Sequence, residues 1–489
     1  MATKDYDRLF IGGEWISPSG TNTLKVVSPF TQEVIGSVPD PVKADVDRAV
    51  DAARNAFDNG PWPRMTPQER AEIVGKVAIA IGNETQSWAE LISSEMGAPV
   101  AWGMLGQALA PTMVLNYYSG LASSFAFDEL RQGLLSQVLV SKEPVGVVAA
   151  ITPWNVPLLL ACGKLAPAFI AGCAVVFKPA PETPLNANRL AEVFEEAGLP
   201  KGVLSVLPAD REVGEYLVSH PRIDKVSFTG SGLAGRRIAS ICGDQLKRCS
   251  LELGGKSAAI LLDDVNLDDA LPSLLPNAIM NNGEACIAQT RILAPRDRYD
   301  EIVEALVDKV GAMKVGDPLD MATEVGPLVA ERQRTRVEGY IKIGQDEGAK
   351  IAVGGSRPGD LDTGWFVEPT VFVNVDNSMK IAQEEIFGPV LAVIPYDSDD
   401  DAVSIANDSA YGLCGSVWTA DPDRGLKVAR GVRTGTYMLN SPIPFDFASP
   451  FGGYKESGIG REFGPEGLDL FLETMSINLQ PGYTPNLGG

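Results

Sequence analysis

The run VVAAITPWNVPLLLACGKLAPAFIAGCAVVF, residues 147–177, narrows the fold of this chain more than any other stretch. Its length and apolarity imitate a membrane span. A lipid-facing helix, however, would have to accommodate Pro153, Pro157, Pro167, Asn155 and Lys164 without water. Cut at its prolines and glycines, the run reads as a buried strand over 145–152, a helix opened by Pro157 over 157–171, and a second buried strand over 174–178. Together these make a βαβ unit with parallel strands, so the expected class is α/β.

The rest of the chain keeps that rhythm. Val46, Ala49, Val50, Ala53 and Phe57 recur at helical spacing, Thr66-Pro67-Gln68-Glu69 forms a capping box, and Thr183-Pro184 starts a helix that stops at Gly198. At 489 residues the chain exceeds what one hydrophobic core usually supports, so two or three domains are expected. Two strand-like stretches, SQVLVSKEP at 136–144 and TMSINLQ at 474–480, fall outside the βα pattern. They read as partners of each other, as cover for a neighbouring subunit's edge, or as a surface hairpin.

A net charge of −22, with 41 scattered basic residues, argues against nucleic acid or an anionic membrane as partner. The opening MATKDYDRLFIGG has neither a signal-peptide core nor a transit pattern, and the expectation is a cytoplasmic protein. Six cysteines form no C-x-x-C pair and no zinc-like cluster, which fits reduced thiols and no metal. The single histidine, His220 in Ser219-His220-Pro221, reads as a surface-loop residue. With it set aside, Ser-His-Asp and Cys-His machinery are excluded, and proton abstraction falls to a carboxylate or a lysine.

Gly230-Ser231-Gly232-Leu233-Ala234-Gly235 follows an apolar run and precedes a helical stretch, which is the context of a dinucleotide fingerprint. Glu252 sits where that fingerprint wants a ribose-binding acid, so it has two candidate tasks, ribose holder or catalytic carboxylate. Gly254-Gly255-Lys256-Ser257 mimics the end of a P-loop, but Ser250 stands where its first glycine would fall. Cys286, in NNGEACIAQT at 281–290, lies just past an Asn-Asn-Gly turn; a cysteine in an apolar setting is ordinarily a small buried hydrophobe.

Trp154-Asn155, Phe177-Lys178-Pro179, Phe228-Thr229-Gly230-Ser231, Leu251-Glu252-Leu253-Gly254-Gly255-Lys256, Gly283-Glu284-Ala285-Cys286, Glu385-Ile386-Phe387-Gly388-Pro389 and Pro450-Phe451-Gly452-Gly453-Tyr454-Lys455 occur in one order along the chain. In that order they resemble the aldehyde dehydrogenase superfamily, over essentially the whole length. The resemblance implies a Rossmann-like cofactor domain (1–123 and 145–252), an α/β catalytic domain (253–455) and a small bridging β-sheet (124–144 and 472–489) that joins subunits into a homodimer or homotetramer. It implies an oxidoreductase that oxidises a small-molecule aldehyde to the acid with NAD, or NADP, as cofactor.

In the roles the resemblance implies, Cys286 is the nucleophile, Asn155 and the Cys286 N–H hold the oxyanion, and Glu252 activates water against the thioester. Lys164 and Glu462 support proton relay or structure. Lys178 and Glu182 meet the adenine ribose; Trp154, Gly230, Ser231 and Leu253 line the dinucleotide; Glu385 and Phe387 hold the nicotinamide end. Val156, Leu159, Gly163, Phe445 and Phe451, with Phe447, line the substrate tunnel. Two departures stand out: Pro181-Glu182 replaces the family's common ribose glutamate, which leaves NAD or NADP open, and Glu284 stands where Gln is common. Val156 and Gly163 are small where relatives carry bulky aromatics, which points to a bulky hydrophobic aldehyde or to broad specificity; the aromatic box for a quaternary ammonium aldehyde is incomplete. Two alternatives remain, a CoA-acylating relative and a non-catalytic cofactor-binding one.

Overall fold

The structure, a computed structural model, describes residues 4–485; residues 1–3 and 486–489, at the outer ends of two expected segments, lie outside the described residues. The 147–177 run folds as its punctuation directs. Val147–Ile151 pairs in parallel with Ala174–Lys178, in register from Val147 opposite Ala174 to Ile151 opposite Lys178. Between them runs the helix Pro157–Ala171, with Pro157 in its first turn and Gly172 closing it in a left-handed conformation at φ 98°. Every residue of that helix except Leu160 is buried, which is why it tolerates no charge but one paired lysine.

These strands sit in an eight-stranded sheet. Its parallel centre runs Arg248–Glu252, Lys225–Thr229, Val147–Ile151, Ala174–Lys178 and Leu204–Val206. An antiparallel N-terminal hairpin, Leu9–Ile11 and Glu14–Ile16, closes one edge. At the other edge the chain returns from far downstream: Gly458–Ile459 pairs antiparallel with Leu251–Glu252. That return delivers residues 460–464 to the end of the strand that carries Glu252.

A second, seven-stranded sheet is built from 258–439 and is parallel except for the Lys350–Val353 edge. The two odd stretches pair with each other: Leu472–Asn478 lies antiparallel to Gln137–Pro144, with Asp128–Gln132 on the far side. The helices expected from spacing are present as Lys43–Asn59, Pro67–Asn83 with its Thr66–Glu69 capping box, and Pro184–Glu196.

One expectation is corrected. His220 is buried, at 7% exposure, rather than a surface-loop residue. Pro221 follows it and ends the helix Arg211–Ser219, so the ring turns inward, meets Tyr216 edge-on, accepts the Arg222 N–H at Nδ1 (3.2 Å) and lies 3.5 Å from Asp47. Burial lowers its pKa.

Candidate active site

The loop that ends Val147–Ile151 carries Trp154, Asn155 and Val156 into the first turn of the buried helix. Asn155 is 4% exposed and held on both sides. Its backbone carbonyl accepts hydrogen bonds from Gln107 Nε2 and Asn281 Nδ2, both at 2.9 Å, while its own Nδ2 donates to the Glu284 carbonyl at 2.8 Å. Asn281 Nδ2 also donates to the Glu284 carbonyl (3.1 Å), so one amide bridges the strand-end loop and the cysteine loop.

The cysteine loop owes its shape to three successive left-handed residues, Asn281 (φ 55°), Asn282 (φ 61°) and Gly283 (φ 73°). Asparagine visits this region at lower cost than most residues, and at Gly283 a Cβ would fall 2.2 Å from the Gly388 carbonyl oxygen. Asn282 anchors the coil by donating to the carbonyls of Gly97 and Pro327 and accepting the Gly326 N–H. Cys286 emerges half-buried, with its carbonyl where a Cβ on Gly255 would come within 2.4 Å. Burial, then the carboxylates of Glu385 and Glu252, push its thiol pKa up.

Glu252 ends its strand at 3% exposure, and neither carboxyl oxygen has a hydrogen-bond partner among the described residues. A Cβ on Gly452 would come 2.6 Å from its Oε1. Burial and the nearby Glu462 raise its pKa well above the carboxylate range, opposed by Lys164 and Arg461. Lys164 and Glu462 form a buried ion pair, with Lys164 Nζ also 3.3 Å from Ser227 Oγ. Glu252 thus lies within electrostatic reach of Cys286, Glu462 and Lys164.

The residues expected at the dinucleotide stand at strand ends, helix starts and loops of both sheets. Lys178 ends the strand Ala174–Lys178, its pKa drawn down to about 8 by burial. Glu182 pairs with Arg332 across the molecule. Gly230 follows its strand, and Ser231 caps the helix Gly232–Asp244 by accepting the Ala234 N–H. Leu253 fills the space beside Gly235. Glu385 accepts the Gly255 N–H at 3.0 Å and is pushed up to about 6 by burial. Phe387, left-handed at φ 63°, meets Trp154 edge-on at 5.4 Å.

The expected substrate residues Val156, Leu159, Phe445, Phe447 and Phe451 share one apolar cluster with Cys286 and Trp154. Gly163 adjoins it through Phe463, whose ring a Cβ at Gly163 would meet at 3.0 Å. Sequence reasoning missed four residues here. Asn281 and Asn282 were visible only as a turn signal, Gln107 sits in a π-helical turn (Met104–Leu109) that leaves no mark in the sequence, and Phe463 hides behind Glu462. Lys256, read as a P-loop mimic, is instead a buried amine without a hydrogen-bond partner among the described residues, its pKa drawn down to about 7 by burial and Arg291.

Among the described residues no group of His, Cys, Asp or Glu is arranged to hold a metal ion, and no helix is long and apolar enough to cross a membrane. The family model described as "Aldehyde dehydrogenase family" matches residues 15–477. Geranial dehydrogenase of Castellaniella defragrans is 46% identical over 98% of this chain and 99% of its own. Among solved structures, a Mycobacterium tuberculosis aldehyde dehydrogenase complexed with NAD+ superposes with a TM-score of 0.97, at 53% identity over 99% of this chain and 100% of its own. A cysteine-to-alanine mutant of aldehyde dehydrogenase C from Pseudomonas syringae, complexed with NAD+ and octanal, gives 0.94 at 40% identity over 98% of each chain. With sequence kinship and backbone agreement both running from end to end, this chain belongs to the aldehyde dehydrogenase family.

Proposed function

We propose that this NAD(P)-dependent aldehyde dehydrogenase oxidises a bulky hydrophobic aldehyde, of terpenoid, aromatic or long aliphatic type, to its carboxylic acid through a covalent adduct on Cys286. The observation that carries the reading is Glu252: a buried carboxyl with both oxygens unpartnered, near enough to Cys286 to shift its thiol. A buried group left unsatisfied costs stability, so such a carboxyl is the mark of a site with work for it.

The residues fit a dinucleotide. Gly254 leaves room at Glu385, where a Cβ would clash at 2.5 Å, and the Ser231-capped helix presents amide donors suited to phosphate. Lys178 and Glu182 would hold the adenosine ribose, Trp154, Gly230, Ser231 and Leu253 the pyrophosphate stretch, and Glu385 and Phe387 the nicotinamide ribose and ring. Bound NAD+ supplies the hydride acceptor that turns the adduct into a thioester.

Cys286 passes its proton to Glu252, which gives it up to solvent before deacylation, and the thiolate attacks the carbonyl carbon; the developing oxyanion is held by the Asn155 side-chain amide and the Cys286 N–H. The Glu284 carbonyl takes one hydrogen of the Asn155 amide and so aims the other. Glu252 then takes a proton from water as that water adds to the thioester, and the acid leaves as Cys286 recovers its proton. The pKa of Glu252 is raised, so it is a stronger base than an ordinary carboxylate, and deacylation gains rate with pH as it ionises. Burial does most to raise the Glu252 pKa, with Glu462 adding to it and Lys164 opposing it.

The substrate side is supported by the apolar cluster that Cys286 shares with Val156, Leu159, Phe445 and Phe451, and by two relatives, one named for geranial and one solved with octanal. Purified protein given such aldehydes with NAD+ or NADP+, with and without CoA, tests the reading by following reduced cofactor and acid. Acid formed without CoA is expected. A strict CoA requirement, or cofactor binding without reduction, would contradict it.

A further inference from the structure

Phe463 has an unusual backbone. At φ 59°, ψ 175° it stands in a region that is close to glycine-only, and it is a bulky aromatic. The surrounding structure holds it there. The segment is stitched to the 447–451 loop by Phe451 N–H to the Glu462 carbonyl (2.6 Å), Glu462 N–H to the Phe451 carbonyl (2.7 Å) and Gly464 N–H to the Phe447 carbonyl (3.0 Å). Strain maintained by three hydrogen bonds aims the side chain at one place.

That place is a knot of phenylalanines in the apolar cluster that also includes Val156, Leu159 and Cys286, where the Phe463 ring is buried at 2% exposure. The Phe463 ring stacks on Phe445 with centroids 5.6 Å apart and planes 5° apart, and it contacts Phe447 at 5.3 Å and Phe451 at 6.0 Å. Its edge lies over Gly163, where a Cβ would come 3.0 Å from Cε1 and 3.4 Å from Cζ. The helix Pro157–Ala171 carries Val156 and Leu159 at and just past its start and offers no side chain one turn further on, so the ring enters from the opposite wall. The glycine and the phenylalanine are complementary halves of one wall.

We propose that Phe463 is a specificity-determining residue: lodged in the space that Gly163 leaves, it sets the girth of aldehyde the site accepts. Flat or unbranched chains pass beside the stacked Phe445–Phe463 pair, and chains branched next to the carbonyl are refused. This rests on the substrate reading above and sharpens it, since the bulk admitted is length and flatness.

The test compares octanal with 2-ethylhexanal, using NAD+, for the parent enzyme, Phe463→Leu, Phe463→Ala, Gly163→Ala and the Gly163→Ala/Phe463→Leu double variant. NAD+ binding and Tm are followed for each. The parent is expected to favour octanal, and Phe463→Leu to shift the kcat/KM ratio toward the branched aldehyde by about tenfold, the scale of a methylene-sized change in a pocket. Gly163→Ala is expected to depress octanal turnover, and the double variant to restore it, because the smaller Leu clears the added methyl. Parallel loss on both aldehydes in Phe463→Leu, or additive effects in the double variant, would mean the ring only fills the core and overturns the inference. A parent that binds NAD+ and oxidises neither aldehyde overturns the substrate reading instead, and this inference with it.

Discussion

Asn281 illustrates how the chemistry depends on a side chain that would touch neither substrate nor cofactor. Its amide bridges the carbonyls of Asn155 and Glu284, tying the proposed oxyanion donor to the loop of the nucleophile. Misplacing a reacting group by about 1 Å can cost ~100-fold in rate. Asn281→Ala is therefore expected to lower kcat by roughly ten- to a hundredfold with KM for NAD+ unchanged, as measured by steady-state kinetics; a loss confined to KM would refute the bridge. Asn155→Ala should cost at least as much, since removing an oxyanion donor typically costs about 3 kcal/mol. These contacts explain what sequence reading could not see. The partners of Asn155 stand 48 and 126 positions away, and nothing local to Gln107 or Asn281 announces where its amide will point. Cys286, Glu252 and Asn155 could be nominated from the sequence because motif order along the chain singles them out together.

The strand–helix–strand run was legible for a different reason: Pro157 and Gly172 mark its boundaries by backbone chemistry alone, and its residues are buried on every side. The cysteine loop was not, because a coil of left-handed residues has no periodicity. It also explains a departure from the family. Glu284 is fully buried, Oε1 accepts the Val329 N–H at 3.1 Å, Oε2 has no hydrogen-bond partner among the described residues, and burial raises the pKa well above the carboxylate range. Protonated, it has the shape and charge of a Gln, the residue that the family resemblance leads one to expect here. In the unfolded chain the same carboxyl releases its proton near pH 4.3. The fold retains it to higher pH, so stability falls as pH rises above that point. Glu284→Gln lacks this term, and its Tm advantage over the parent is expected to widen between about pH 5 and 8 in calorimetry. An advantage that narrows with pH would contradict the assignment.

Across the whole molecule, the return of the chain from Gly458–Ile459 to the edge of the first sheet brings residues from both ends of the sequence to one site. Leu251–Glu252 pairs with that late strand, and Lys164 meets Glu462 298 positions on. The pairing of Gln137–Pro144 with Leu472–Asn478 leaves Met475 and Ile477 exposed on one face of an edge strand, at 43% and 38%. Edge strands with exposed apolar side chains invite a partner. In the homodimer or homotetramer that the family resemblance implies, this sheet would bridge subunits, so Met475→Glu/Ile477→Lys should lower the mass seen by light scattering, whereas an unchanged oligomer would exclude the sheet as the bridge. The central claim is that Cys286 carries the acyl group and Glu252 brings the water that releases it. Intact-protein and peptide mass spectrometry of Glu252→Gln, mixed with NAD+ and octanal, tests this most directly. An acyl adduct on Cys286, formed with one equivalent of reduced cofactor and released far more slowly than in the parent enzyme, is predicted; reduction without any adduct on Cys286, or release at the parent rate, would contradict it.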